Sequence, residues 1–290
     1  MRRSDGSIVQ LFDPETGRPD WLALPTGHGA IFAVAAVPMA SGRTLLVTGG
    51  DETVVQLWDA ATRRPIRHRL RRVELHQSDA VADMVLMSLP GGPAMLAIAT
   101  DDGWVRLWDP STGQTIDTMP PAHFDEVAAI AAVPLPFRPV LAVACRDASV
   151  HIWDPAEDDR PRYTLRGHTD AVEAVVTVPG PDGELLIASA GSDTTLRRWS
   201  PVRGEPFGEP IETRHDGAVN AMTAVAVPDG RTLIATGGKD GTIRLWDPID
   251  GVGCGQPITG HTDEIFALTT ITTARVEHGV PGTDMSTWSG

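Results

Sequence analysis

Six short apolar runs, spread over the 290 residues, each end in an aromatic residue. SIVQLFD, TVVQLWD, WVRLWD, SVHIWD, TLRRWS and TIRLWD place it at Phe12, Trp58, Trp108, Trp153, Trp199 and Trp246, a spacing of 45 to 50 residues. A second series keeps step with the first. His28, His76, His123, His168, His215 and His261 lie 45 to 48 residues apart, and each of the first five precedes its Trp by 30 to 32 residues. Two phased series at one period mark a single structural unit repeated along the chain, so the fold is an array in which each unit packs against its neighbours.

The unit itself reads as strands. After His168, AVEAVVTV (171–178) leads through the turn PGPDG to ELLIASAG (184–191), then to Asp193 and TLRRW (195–199). Apolar runs of this length, rich in Val, Ile and Leu and broken by Pro-Gly or Asp-Gly turns, suit strands and are too short for helices. A more polar run follows each Trp, such as PIRHRLRRVEL (65–75) or RYTL (162–165), as expected of an exposed fourth strand. A four-stranded antiparallel sheet of this kind leaves a face unburied. Such sheets become stable as blades stacked face to face around an axis, and a closed ring of them leaves only short outer edges. The expectation is therefore an all-β propeller spanning residues 1–290, with no substantial helix.

The recurring order Gly-His, Asp, Trp-Asp resembles the WD-repeat family over nearly the whole chain. Gly167-His168 and Gly260-His261 keep the first pair, and Asp59, Asp109, Asp154 and Asp247 complete Trp-Asp. The resemblance implies a buried hydrogen-bonded chain within each blade: His168, Ser189, Asp193 and Trp199 in one, His215, Thr236, Asp240 and Trp246 in the next. It also implies a role in binding proteins or peptides, on a rim formed by the residue before each turn Asp and by residues after each repeat His. Here these are Asp101, Arg146, Ser192 and Lys239, with Glu126, Ala171, Ala218 and Glu264.

Other units depart from the pattern. Asp102 and Asp147 keep the six-residue interval to Trp108 and Trp153, but the preceding turns are shorter and Cys145 stands near the expected hydroxyl. In the first unit Glu52 holds the turn position, with Asp51 one place earlier. Unpaired buried polar groups cost about 1–3 kcal/mol each, so the second half should be the more rigid.

Several functions are disfavoured. With 24 Lys+Arg against 38 Asp+Glu, the net charge of −14 repels phosphate backbones and anionic lipid. No apolar run approaches the roughly 20 residues that span a bilayer, and MRRSDGSIVQLF has no apolar stretch of secretory length. These features point to a cytoplasmic, monomeric ring that binds neither nucleic acid nor membrane. Two cysteines, Cys145 and Cys254, are too few for a disulfide framework. Lys239 is the only lysine amid abundant Arg, Ala and Gly, as in a GC-rich, bacterial coding sequence.

Ser189, His168 and Asp193 have the composition of a hydrolase triad, but the trio recurs as Thr236, His215 and Asp240, which a single catalytic site does not need. The repeat histidines fall on successive blades and cannot converge on one metal. GVGCG (251–255) lacks the context of a phosphate loop. No catalytic residue, cofactor or metal is expected. Arg63, Arg64, Arg67, Arg69, Arg71 and Arg72 read as a charged outer edge that resists edge pairing, with an acidic docking partner as the alternative. Trp104 reads as core, with a binding role as the alternative.

The ends fit one composite blade. SIVQLFD (7–13) and DWLALPT (20–26) match a third and a fourth strand within residues 1–27, and five full repeats occupy 28–260. Residues 261–290 form a degenerate last repeat, with EIFALTTI (264–271) as its first strand and ARVEH (274–278) as its second. Sharing strands between the two ends makes six blades; Trp288 as the mark of a further repeat leaves an incomplete seven-bladed ring as the alternative. The leading function is a non-enzymatic interaction scaffold, against a sensor domain detached from a larger bacterial signalling enzyme (kinase, protease or NTPase) or an enzymatic propeller.

Overall fold

The computed structural model describes residues 8–9, 24–25, 30–39, 41–51, 55–66, 80–88, 94–119, 126–136, 138–155, 157 and 161–270. Near the start, β1 (Ile8–Val9) pairs antiparallel with β2 (Leu24–Pro25). Five antiparallel sheets follow, each a blade. The first contains β3 (Ile31–Pro38), β4 (Thr44–Gly50) and β5 (Gln56–Asp59). The second contains β6 (Val81–Ser88), β7 (Ala94–Thr100), β8 (Val105–Asp109) and β9 (Gln114–Met119). The third has β10 (Val127–Val133), β11 (Val140–Cys145), β12 (Ser149–Trp153) and β13 (Tyr163–Arg166).

In the fourth, β14 (Val172–Pro179), β15 (Leu185–Gly191) and β16 (Thr195–Ser200) are edged by two short pieces, β17 (Glu205–Pro206) and β18 (Ile211–Glu212). The fifth has β19 (Val219–Ala226), β20 (Thr232–Gly238) and β21 (Ile243–Trp246). The one helical element described is a 3-10 turn, Pro181–Gly183.

This is an all-β propeller of five blades among the described residues. Neither six nor seven is seen: residues 271–290, which include ARVEH and Trp288, lie outside the described residues, as does most of 1–29. Four strands per blade also proves too regular an expectation. Among the described residues the outer edge of the first blade shows a Trp58–Pro65 bridge, residues 67–79 lying outside them, and in the fifth blade it is reduced to bridges from Ile243 to Ile258 and from Trp246 to Gly253.

Packing explains the period. The first strand of each blade lies against the first strand of the next, from β3 through β6, β10 and β14 to β19. The apolar clusters lie between blades: Val47 and Leu57 meet Ile98 and Trp108, and Met95 and Leu107 meet Val143 and Trp153. Trp108, Trp153, Trp199 and Trp246 each insert towards the preceding blade. Each first strand also carries a bulge at its start, as between Val81 and Asp83 or Val172 and Ala174, which turns the strand at the same place every time.

The Asp of Trp-Asp works at the opposite end of the blade. Asp59 accepts from the Thr62 amide (2.8 Å) and Asp109 from that of Ser111 (2.7 Å), closing the turn after the third strand. Arg43, Arg138 and Arg231 each pair with such an Asp at the end of, or just after, the third strand of their own blade, Asp59, Asp154 and Asp247. The Thr62 amide and Arg43 hold the Asp59 carboxyl at about 2.

Candidate functional site

Two blades contain a continuous hydrogen-bonded chain. In the fourth, Trp199 Nε1 donates to Ser189 Oγ (2.8 Å), which lies 2.8 Å from His168 Nε2; His168 Nδ1 is 2.9 Å from Asp193 Oδ2. The roles follow from the donors available. Ser189 accepts the indole proton and gives its own to Nε2, so Nδ1 carries the ring proton and donates to Asp193. In the fifth, Trp246 Nε1 donates to Thr236 Oγ1 (3.0 Å), His215 Nε2 is 2.9 Å from that oxygen, and Nδ1 is 3.0 Å from Asp240 Oδ1. Gly167 leaves room before His168, since a Cβ there would stand 3.1 Å from the Trp199 ring and 2.7 Å from the end of the Arg197 side chain.

Both aspartates also close the turn on which they sit. Asp193 accepts from the amides of Thr195 and Thr169, and Asp240 from those of Thr242 and Asp216. Burial pushes both carboxyls up, but these amides and the histidines outweigh it and hold them well below the usual carboxylate range. Burial lowers the His215 imidazole against the pull of Asp240, so His215 is neutral at pH 7. His168, Ser189 and His215 are buried, which denies a nucleophile access to substrate.

The other blades differ in register. Trp58 Nε1 reaches Thr48 Oγ1 at 3.3 Å in the first blade. In the third, Val143 pairs with His151 as Ser189 pairs with Arg197, and Cys145 pairs with Val127 as Gly191 pairs with Val172. Cys145 is thus two residues beyond the hydroxyl position, which Val143 occupies. Ile98 occupies it in the second blade, and the indole nitrogens of Trp108 and Trp153 have no hydrogen-bond partner among the described residues. Asp51, too, is displaced: it accepts from the Ala30 amide (2.8 Å), as Asp101 does from that of Ala80 (3.0 Å), and so occupies the rim position. Glu52, His28, His76 and His123 lie outside the described residues, while His261 is exposed.

The rim residues come together at one end of the blades. Backbone bonds join Arg146 N to Glu126 O (2.9 Å), Ser192 N to Ala171 O (2.8 Å) and Lys239 N to Ala218 O (2.8 Å). Ion pairs extend the contacts across blades. Arg146 lies 2.6 Å from Glu126 and 3.6 Å from Glu173, and Lys239 is 3.5 Å from Glu264. Trp104 is partly buried, with the Arg106 guanidinium 5.0 Å from its ring. Arg63 and Arg64 are described in a turn, but Arg67, Arg69, Arg71 and Arg72 are not among the described residues.

Two residues escape a reading of the repeats alone. Arg198 takes the place that Leu57, Leu107, Ile152 and Leu245 hold before the Trp, and donates to the carbonyls of Ile249 (2.8 Å), Pro248 (3.2 Å) and Glu209 (3.2 Å), tying the fourth blade to the fifth. Asp83 occupies a station held by Ala33, Ala129, Ala174 and Ala221 elsewhere, and accepts from the amide of Ile130 on the next blade (2.9 Å). A charge at an apolar station is the sequence signal for both.

Burial pushes the Asp83 carboxyl up to about 6 despite the Ile130 and Met84 amides. The native state then holds that proton more tightly than the unfolded chain, so the group favours folding below pH 4 and loses that contribution as pH rises towards 6. The stability of the wild type relative to Asp83→Ala should therefore fall by about 1–3 kcal/mol between pH 4 and pH 7, measured by urea unfolding. A pH-independent difference would show that Asp83 titrates normally.

An all-β propeller, two of whose blades are clamped by His–Ser/Thr–Trp chains, defines the class of protein. Residues 159–200 and 208–247 match the family model described as WD domain, G-beta repeat. These segments contain the two complete chains, from His168 to Trp199 and from His215 to Trp246, and the protein carries WD40 repeats there. No curated protein resembles the chain closely enough to count as a match.

Proposed function

We propose that this propeller is a non-enzymatic scaffold that binds a protein or peptide on the rim formed by Asp101, Glu126, Arg146, Ala171, Ser192, Ala218, Lys239 and Glu264. Propellers with WD repeats are commonly such scaffolds. The observation that carries the reading is the pairing of the two rim series by backbone bonds, blade after blade. It presents dissimilar side chains at fixed spacing on a stiff support, which suits recognition of one specific surface. The residues with a catalytic composition are consumed in holding blades together. No helix of the described residues is long and apolar enough to cross a membrane. The negative charge disfavours nucleic acid, and a cytoplasmic, monomeric protein suits the whole.

A six-bladed ring, completed by residues 1–27 and 261–290 together, is the closure we favour. Ile265 is buried on the fifth blade, where a Cβ at Gly237 would lie 2.6 Å from it, as a Cβ at Gly49 would lie 2.8 Å from Val81 of the following blade. This contact supports a further blade beginning at Ile265, although residues 264–270 form no strand where EIFALTTI was expected to be one.

The rim is tested by an affinity capture with the intact protein, followed by measured binding of what it retains. Substituting Arg146 and Lys239 together by Ala should weaken that binding at least tenfold. Thermal stability should stay within about 0.5 kcal/mol, because exposed ion pairs contribute little to folding. Unchanged affinity would move the site off the rim.

A further inference from the structure

The third blade carries different chemistry where its neighbours have the hydrogen-bonded chain. Val143 supplies no hydroxyl there and Trp153 Nε1 has no partner among the described residues. Beside that gap stand Cys145 at the end of β11, Asp147 in the turn that follows, and His151 in the middle of β12. Strand alternation puts Val143, Cys145 and His151 on one face, and the tight turn brings Asp147 over them. One donor atom from each of Cys145, Asp147 and His151 lies within 4.8 Å of the other two.

We propose that these three residues form a site for zinc or a similar borderline divalent ion, which cross-links β11 and β12 in place of the hydrogen-bonded chain. The donor set is selective. A thiolate, an imidazole nitrogen and a carboxylate suit zinc, whereas calcium and magnesium take oxygen ligands. Tetrahedral coordination needs the donors only about 1 Å closer than they stand, a movement within reach of side-chain rotation.

The surroundings fit as well. His151 Nδ1 lies 3.1 Å from Thr164 Oγ1 on β13, and Nε2 lies 2.8 Å from Ser149 Oγ, which is itself bonded to Asp147. Ser149 Oγ gives its one proton to Asp147, so without the ion Nε2–H donates to Ser149. On binding, the ring proton moves to Nδ1, which donates to Thr164 Oγ1, and the Nε2 lone pair is freed for the ion on the side of Ser149 and Asp147. Ser149 Oγ or a water completes the fourth position. Cys145 and His151 are buried, but Asp147 is exposed and gives the ion a way in. The thiol proton leaves to solvent on binding, so affinity rises with pH. Nothing in this site depends on the rim.

Cobalt(II) titrated into the tag-free full chain tests the site, because a thiolate ligand produces a near-ultraviolet charge-transfer band that histidine and carboxylate ligands do not. One equivalent should give that band, zinc should abolish it, and Cys254→Ser should leave it unchanged. Cys145→Ala should remove it. Asp147→Asn, a change at an exposed position, should keep the metal-free melting temperature yet weaken zinc binding at least tenfold, and Thr164→Val should weaken it by about tenfold. Absence of the band at one equivalent, its persistence in Cys145→Ala, or unchanged zinc affinity in Asp147→Asn overturns the proposal.

Discussion

Trp199→Ala should destabilise the protein by about 3–5 kcal/mol, the range for deleting a buried aromatic side chain. The ring is 2% exposed and packs among Val150, Ile152 and Leu165 of the preceding blade, so the cavity opens at a blade interface, where neither sheet can close over it. The substitution also strips Ser189 Oγ of its indole donor. Asp240→Ala reaches the same kind of chain from its other end. It leaves the buried His215 Nδ1 and the Thr242 and Asp216 amides without their acceptor, for a loss of more than about 2 kcal/mol. Urea unfolding measures both. Midpoints that hardly move would mean that these chains are incidental to stability.

Deleting residues 1–26 should cause aggregation or outright unfolding, on the proposal that they complete a sixth blade with residues 261–290. The described blades show what is left uncovered. Val34 on β3 is 49% exposed, whereas Met84, Ile130 and Val175, which hold the same station on the next three blades, are each 8% exposed or less beneath a preceding blade. Phe32 beside it is 58% exposed, and Phe266 beyond the fifth blade 74%. A soluble chain rarely leaves such apolar side chains at both ends of an array in water. Size-exclusion chromatography and thermal unfolding of the deletion variant decide the matter: a monomer as stable as the full chain excludes the composite blade.

The repeat itself was legible because strand alternation and blade stacking impose the same demands every 45 to 50 residues. Trp at the interface and Asp in the turn each answer a local requirement, whereas Gly before His is not general, since Arg214 precedes His215 at a φ of 58°. The chains at His168 and His215 were implied by the resemblance to the WD-repeat family. Register is not encoded in the same local way. Near the third blade's turn, Cys145 is close in sequence to the hydroxyl position, yet a two-residue shift along β11 keeps a side chain on the same face while moving it to another station, so Val143 is what faces His151.

By itself, the sequence determined the fold class and the phase of the repeats, since both follow from periodic burial within a unit, while the residues that clamp the fourth and fifth blades followed from the resemblance to the WD-repeat family. The tertiary structure decided what depends on contact between units or across strands. It put Asp83 against the Ile130 amide of the next blade and Arg198 against the carbonyls after β21, contacts between residues 47 and 50 or more apart that no local pattern encodes. It also gathered Cys145, Asp147 and His151 around one point, because only the pairing of β11 with β12 and the turn between them set those distances.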